Sequence, residues 1–156
     1  MPAEHPPGAQ PPRFRREIVA QPEDIDQLGH VSNITYLRWV QLVATEHSAA
    51  AGWDHDAYRA LGAVFVVRRH EIDYRVPAYA GDRIELCTWV ESWRTASTLR
   101  RTEIIRLGDG HGDRGPQLLA SAATTWAMVS FESGRPRRIP EELRVPFLPP
   151  APLRSP

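Results

Sequence analysis

The sequence contains no lysine: all 19 of its basic residues are arginine, in a chain of 156 residues. Aspartate and glutamate together also number 19, so the formal net charge is zero at pH 7. Chains that bind nucleic acid or an anionic membrane surface usually carry an excess of positive charge. The charge balance indicates neither kind of partner, and we expect neither.

Cysteine and long apolar runs are also scarce. The single cysteine, Cys87, excludes a disulfide within the chain and a paired-cysteine metal site, and its strand-like surroundings indicate a small buried side chain. No apolar run approaches the roughly 18 residues that predict a membrane-spanning helix. The first residues also lack the apolar core of a signal peptide. We therefore expect a cytoplasmic protein.

Proline is concentrated at the two ends of the chain. Five prolines lie in the first twelve residues and seven in the last twenty-one, with only Pro22, Pro77 and Pro116 between them. Such ends are typical of extended or disordered tails. The length fits one domain, so we predict a folded unit at residues 13–147 between tails at residues 1–12 and 148–156.

Hydrophobic periodicity predicts one strand, one long helix and then four more strands. The first strand covers residues 13–20 and the helix residues 34–51, where a narrow polar stripe indicates a mostly buried helix. A short second helix follows at residues 54–61. The remaining strands, at residues 63–76, 83–93, 98–107 and 117–131, are predicted to form a meander. This order predicts an α+β fold in which a sheet of about five antiparallel strands surrounds one helix, with free edges that dimerisation would cover.

The segment before the long helix carries the candidate chemistry. A helix N-terminus offers backbone N–H groups without partners, which suit a developing oxyanion. Gly29 allows a sharp turn or a close substrate approach. Asp26 could attack a carbonyl or activate a water, and His30 could orient that water. The same residues could instead serve only as turn and capping groups, while Asp24 and Asp26 lack a third oxygen ligand for a metal ion.

The segment DIDQLGHVSNITY, residues 24–36, resembles the DxDxxGHVNNxxY motif of hotdog-fold acyl-CoA thioesterases of the 4-hydroxybenzoyl-CoA thioesterase-like group. Plant acyl-carrier-protein thioesterases have a similar motif. Residues 72–90, in which a strand, Pro77 and a Gly-Asp turn lead into the next strand, and residues 134–143 resemble later parts of the same family. The sequence departs from the motif at Ser32, where asparagine is usual.

The resemblance implies a fold, a reaction and a set of residues. The fold would be one long central helix wrapped by an antiparallel sheet, assembled as a homodimer or homotetramer. The enzyme would hydrolyse an acyl-CoA or aroyl-CoA thioester to a carboxylic acid and free coenzyme A, without metal or other cofactor. The resemblance assigns catalysis to Asp26, His30 and Asn33, with Asp26 as nucleophile or general base and the backbone N–H near Asn33 polarising the carbonyl. It assigns substrate contacts to Gly29, Val31 and Tyr36, and leaves Asp24 to hold the loop.

Three other functions share this fold. An acyl-carrier-protein thioesterase would use the same chemistry on another partner, and a non-catalytic acyl-CoA-binding hotdog protein would bind without hydrolysis. A hotdog hydratase or dehydratase would also use a histidine and an acid, but at other positions of the fold. The position of Asp26 before the helix argues against this function. Five arginines are candidates for contacts with coenzyme A phosphates: Arg68, Arg69, Arg94, Arg100 and Arg101. The histidines show no metal-ligand spacing, and the five tryptophans are expected in the core, the dimer interface or the acyl pocket.

Overall fold

The computed structural model describes residues 8–108 and 115–151. Within them one antiparallel sheet contains five strands: β1 (Phe14–Val19), β2 (Ala63–Tyr74), β3 (Arg83–Trp93), β4 (Ser97–Arg106) and β5 (Gln117–Ser130). The helices of these residues are α1 (Asn33–Ala50), α2 (His55–Leu61) and α3 (Glu141–Arg144). The predicted α+β class and five-stranded antiparallel sheet are confirmed. The outer parts of both predicted tails and most of the glycine-rich loop before β5, including His111, lie outside the described residues.

The strand order is β1-β3-β4-β5-β2, which corrects the predicted four-strand meander. Only β3, β4 and β5 follow one another, while β2 pairs with β5 from Ala63↔Ser130 to Tyr74↔Ala120. The connection from β2 to β3, residues 75–82, can span roughly 26 Å when extended. Three strand spacings amount to only about 14 Å. The chain can therefore cross the end of the sheet instead of turning back as a hairpin.

Helix α1 packs against β3 and β1 with one face. Its buried residues recur at helical spacing, and they include Tyr36, Val40, Val43 and His47. The prediction of a mostly buried helix is wrong for the single chain, because Ile34 is 64% exposed and Leu42 is 40% exposed. The physical reason is that a sheet covers only one side of a helix, so apolar residues on the other side stay open.

The helix boundaries follow from capping groups. The hydroxyl of Ser32 caps α1, and Gly52 follows its C-terminal end with a φ of +92°, which confirms the predicted stop. Asp54 caps α2, as predicted, by accepting a hydrogen bond of 2.9 Å from the backbone N–H of Ala57. In the described part of the chain, no helix is both long and apolar enough to cross a membrane.

Candidate active site

The segment before α1 folds into a small hairpin. Ile25 and Val31 form an antiparallel bridge. The backbone N–H of Ser32 donates to the carbonyl of Asp24 at 2.9 Å, and the N–H of Asp26 donates to the carbonyl of His30 at 3.0 Å. The chain reverses between Asp26 and His30, where glycine at position 29 has a φ of +84°, a conformation that other residues rarely adopt. The hairpin thus brings Asp26 directly opposite His30.

The two aspartates of this hairpin have different partners. Oδ2 of Asp24 accepts a hydrogen bond of 2.9 Å from the backbone N–H of Gln21, which ties the loop down as expected. Oδ1 of Asp26 accepts a bond of 2.8 Å from the N–H of Leu28. Among the described residues, no donor makes a hydrogen bond to Oδ2 of Asp26. Asp26 is half-buried, so the turn orients one oxygen and leaves the other without a partner in this part of the chain.

The first turn of α1 leaves one backbone donor unused. The side chain of Ser32 accepts a hydrogen bond of 3.1 Å from the N–H of Ile34. The carbonyl of Ser32 accepts bonds from Thr35 at 3.0 Å and Tyr36 at 3.3 Å. The N–H of Asn33 makes no hydrogen bond to any acceptor in residues 8–108 and 115–151. Since the N-terminal end of a helix carries a partial positive charge, this exposed donor suits an anionic oxygen.

A model of the Thioesterase-like superfamily matches residues 20–147 of the chain. The chain belongs to this superfamily. Its sequence is 25% identical to the acyl-CoA thioester hydrolase YbgC of Escherichia coli O6:H1 over 134 residues, which is 86% of this chain and 95% of that protein. Membership confirms the predicted resemblance to hotdog thioesterases and the enzyme class of thioester hydrolase.

Solved structures of thioesterases share the fold of this superfamily member. A 1,4-dihydroxy-2-naphthoyl-CoA thioesterase from Synechocystis superposes with a TM-score of 0.76 at 18% identity, covering 87% of this chain and 96% of that one. A mutant 4-hydroxybenzoyl-CoA thioesterase complexed with 4-hydroxybenzoyl-CoA superposes with a TM-score of 0.77 at 19% identity, covering 86% of this chain and 98% of that one.

Two of the predicted substrate contacts are core residues of the thioesterase chain. Val31 is 1% exposed and Tyr36 is 3% exposed. The ring of Tyr36 lies 5.4 Å from that of Trp39 and 5.3 Å from that of Tyr74, and burial raises the pKa of its phenol. Gly29, by contrast, is exposed at the tip of the hairpin. Contact of these residues with substrate stays a prediction.

The structure adds residues that the motif did not indicate. The hydroxyl of Tyr74, at the end of β2, donates to the carbonyl of Asn33 at 3.4 Å. The ring of Tyr79 meets that of His30 edge-on at 6.5 Å, and the carbonyl of Ala78 accepts a bond of 2.8 Å from the N–H of Val31. All three lie in the second block of resemblance. The two tyrosines that flank Pro77 in this block were the sequence feature that could have indicated a part of the site. Only the fold shows that this segment reaches the hairpin.

The candidate arginines occupy different environments. Arg69 pairs with Glu71, and Arg101 pairs with Glu91 at 3.0 Å, so both already have carboxylate partners. Arg68 and Arg94 are exposed. Arg100 is only 7% exposed, so it is not a surface contact for phosphate groups.

In residues 8–108 and 115–151, no group of three or more His, Cys, Asp or Glu side chains could hold a metal ion.

Two cavities of the single chain lie away from this hairpin. The larger, of about 280 Å³, is lined by the second half of α1, by α2 and by strand residues. The smaller, of about 190 Å³, is lined by strand residues that include Trp89 and Arg101. Asp26, His30 and Asn33 line neither cavity. Neither of these two cavities therefore encloses the candidate reacting groups at the start of α1.

Proposed function

We propose that the protein is an acyl-CoA thioester hydrolase that releases a carboxylic acid and free coenzyme A. The family membership and the name of the Escherichia coli relative support this reaction. The observation that carries the proposal is the unpaired backbone N–H of Asn33 at the start of α1, next to a hairpin that holds Asp26. A donor and a carboxylate in one place are the minimum equipment for hydrolysing a thioester.

In the proposed reaction the N–H of Asn33 donates to the thioester carbonyl oxygen. Negative charge develops on that oxygen when the carbonyl carbon is attacked, and the helix N-terminus favours the charge. Ser32 supports this role. Its hydroxyl accepts a bond from the N–H of Ile34, and its carbonyl accepts bonds from those of Thr35 and Tyr36. The N–H of Asn33 is thereby left for the substrate. The Asn33 side chain, which is exposed, is proposed to help place the thioester.

Asp26 supplies the attacking group by one of two routes. As a nucleophile, its carboxylate forms a bond to the carbonyl carbon, the carbon–sulfur bond breaks, and the thiolate of coenzyme A departs. Water then hydrolyses the resulting anhydride. As a general base, Asp26 takes a proton from water while the water oxygen attacks the same carbon. Since a thiolate is a good leaving group, neither route needs a strong general acid.

His30 is proposed to orient water or the thioester from across the hairpin. Its carbonyl accepts the N–H of Asp26, which holds the two residues opposite each other, and its ring is edge-on to that of Tyr79. Gly29, at the exposed tip, is proposed to let the substrate approach the backbone. Val31 and Tyr36 are proposed to contact the acyl end if the core beside α1 opens toward the site.

We further propose that the active form contains at least two copies of the chain, as a homodimer or a dimer of dimers. One side of β2 is an unpaired sheet edge, and Val66 on that strand is 38% exposed. Tyr74 of β2 contacts Asn33, so a second copy on this edge would lie beside the start of α1. It would also cover Ile34 and Leu42, which makes α1 the central helix of the assembly and encloses the site.

The reaction is tested by incubating the protein with acyl-CoA and aroyl-CoA thioesters and following free thiol with a thiol-reactive dye. We expect Asp26→Asn and Asp26→Ala to fold normally and to lower kcat/KM about 100-fold or more, the usual range for a positioned acid or base. Asp24→Asn is the matched control. It keeps an oxygen for the N–H of Gln21 and should retain most of the activity.

Full activity in both Asp26 variants would contradict the proposed role of that carboxylate. Saturable binding of acyl-CoA without thiol release by the wild-type protein would favour a binding protein. The same acyl groups are also presented on an acyl-carrier protein. A much higher kcat/KM with the carrier protein than with coenzyme A would identify the carrier-bound thioester as the substrate.

A further inference from the structure

Arg100 carries a buried positive charge that no carboxylate of the described residues balances. This residue of β4 is 7% exposed. Its Nη1 donates to Nδ1 of His47 at 2.9 Å and to Oγ1 of Thr88 at 3.2 Å. Among the residues that the structure describes, no carboxylate lies within 4.0 Å of its guanidinium. A buried charge without a counter-charge is costly, so its presence calls for a physical reason.

The neighbours of Arg100 do not neutralise it. Burial, reinforced by the charge of Arg100, lowers the pKa of His47 to about 4, so this histidine is neutral at pH 7 and accepts through Nδ1. Burial lowers the pKa of Arg100 itself to about 10, and the guanidinium therefore stays protonated at neutral pH. Thr88 donates its own hydroxyl hydrogen to the carbonyl of Arg101, which leaves a lone pair for Arg100. The cluster keeps one net positive charge.

Arg100 lines the larger cavity, of about 280 Å³. Its Nη2 and Nε find no acceptor within the described ranges, and these are the N–H groups that a ligand could use. The carboxylate of Asp54 also borders the cavity, but this residue is exposed and accepts from Ala57 as the cap of α2. Six of the 16 residues that line the cavity are aromatic: Trp53, Tyr58, Phe65, Trp93, Trp126 and Phe147.

We propose that this cavity binds an apolar carboxylate, with the carboxylate on Arg100 and the hydrocarbon or ring against these aromatic residues. A guanidinium presents parallel N–H groups that match the two oxygens of a carboxylate. Aromatic walls with one buried charged group are typical of small-molecule sites, and about 280 Å³ is near the lower end of their roughly 300–1,000 Å³ range. The ligand would supply the counter-charge that residues 8–108 and 115–151 do not provide.

The cavity is distinct from the hairpin site of the same chain. Its α1 residues run from Ala44 to Ala49, whereas the free N–H belongs to Asn33. At 1.5 Å per residue, roughly 17–24 Å of helix separates them. A carboxylic acid is also the product class of the proposed hydrolysis, a link that rests on the proposed function. The binding of an acid by Arg100 does not depend on it.

Isothermal titration calorimetry on the full chain tests the site with matched ligands. The acids 4-phenylbutanoate and 2-naphthoate are each compared with their primary amides, which have nearly the same shape without the charge. We expect at least one acid to bind saturably and its amide to bind about tenfold more weakly or not at all, the loss expected for a hydrogen bond to a charged group. Arg100→Gln and Arg100→Met should remove this preference.

Arg101→Gln is the control, because it removes the next arginine of β4, which pairs with Glu91 outside the cavity. It should bind the acids as the wild-type protein does. Equal binding of acid and amide by the wild-type protein would overturn the proposal, as would no saturable binding of either acid. The comparison of ligands needs no variant, so it stands even if the Arg100 variants do not fold.

A further arm separates this site from the hydrolytic one. Asp26→Asn should bind the acids as the wild-type protein does, so failure of the proposed hydrolysis would leave this measurement unaffected. Acid binding that is lost in Asp26→Asn and kept in Arg100→Gln would place the acid at the hairpin and overturn the proposal.

Discussion

At the scale of single residues, His47 shows how burial sets protonation. Its ring is stacked on Phe14 at 5.1 Å and meets Phe147 edge-on at 4.9 Å. Its Nδ1 accepts from Arg100, so a proton on that nitrogen would break the hydrogen bond and place two positive charges side by side. Burial is the larger cause of the pKa of about 4, and Arg100 adds to it. The imidazole therefore contributes to stability only in its neutral form.

This predicts a loss of stability in mild acid. The folded pKa of His47, about 4, lies below the unfolded value of about 6.5. Its contribution is complete above pH 6.5 and is lost as pH falls toward 4, because the unfolded state binds the proton first. We expect the free energy of unfolding to fall by on the order of 2 kcal/mol across this window, after allowance for screening. Urea unfolding at a series of pH values measures it.

The control for this prediction is His47→Gln, whose unfolding free energy should depend less steeply on pH between 6.5 and 4. Burial also lowers the pKa of His70, which contributes in the same direction, so His70→Gln is measured beside it. An unchanged slope in the His47 variant would show that this histidine is not the group that titrates.

At the scale of elements, α1 joins stability to the proposed chemistry. Ser32 caps the helix with its hydroxyl and its carbonyl, and its own N–H donates to Asp24. One residue therefore connects the hairpin of Asp26 to the helix whose first N–H is free. Asparagine, which is usual at this position of the motif that the segment resembles, would also accept a hydrogen bond there, so the departure to serine keeps a capping group.

We expect Ser32→Ala to lower the free energy of unfolding by about 1 kcal/mol, the usual cost of losing an N-cap. Ser32→Asn should stay close to the wild type in both stability and hydrolysis, since it restores an acceptor. Urea unfolding and the thiol-release assay measure the two properties. A stable Ser32→Ala protein, or an Asn variant as unstable as the Ala variant, would show that the cap bond to Ile34 is unimportant.

At the scale of the whole molecule, the sheet has two edges with different surroundings. β1 forms one edge and β2 the other. β2 is the longer of the two, at 12 residues against 6, and its end contacts the start of α1 through Tyr74. Val66 of β2 and Ile34 and Leu42 of α1 are exposed apolar side chains that we propose a second copy covers. Ile34 belongs to the first turn of α1, beside the candidate active site.

Assembly through these side chains predicts a species of at least twice the 17.6 kDa chain mass. Val66→Lys together with Leu42→Glu should shift it toward the single chain and lower hydrolysis, because the site would lose its second wall. Sedimentation velocity measures the mass. Val19→Lys is the matched control, since Val19 is 46% exposed on the opposite edge strand and should leave the assembly intact. A single-chain wild-type protein would contradict the prediction.

Much of the fold and of the site could be predicted from local patterns. The predicted 83–93 strand matches β3 at both ends, and the others agree within about two residues because alternation and turn residues act over short distances. The end of α1 at Gly52 and the cap at Asp54 follow from local hydrogen bonds and backbone angles. The motif pointed to the segment around Asp26, whose acid, glycine and cap residues bond to groups only a few positions away, but the hairpin that this segment forms was not predicted.

Long-range pairing was decided only by the tertiary structure. Hydrophobic pattern does not say which strand lies beside β5, and the place of β2 depends on a connection long enough to cross the sheet. The contact of Tyr79 with His30 follows from that crossing. The sequence made Arg100 one of five equal candidates for a phosphate contact, because its charge is visible there. Its burial beside His47, 53 positions away, is visible only in the structure. The sequence by itself determined the elements and their caps and pointed to the candidate reacting groups, since these depend on neighbours along the chain. The tertiary structure decided the strand order, the open face of α1 and the charged cavity, since these depend on residues that meet only after folding.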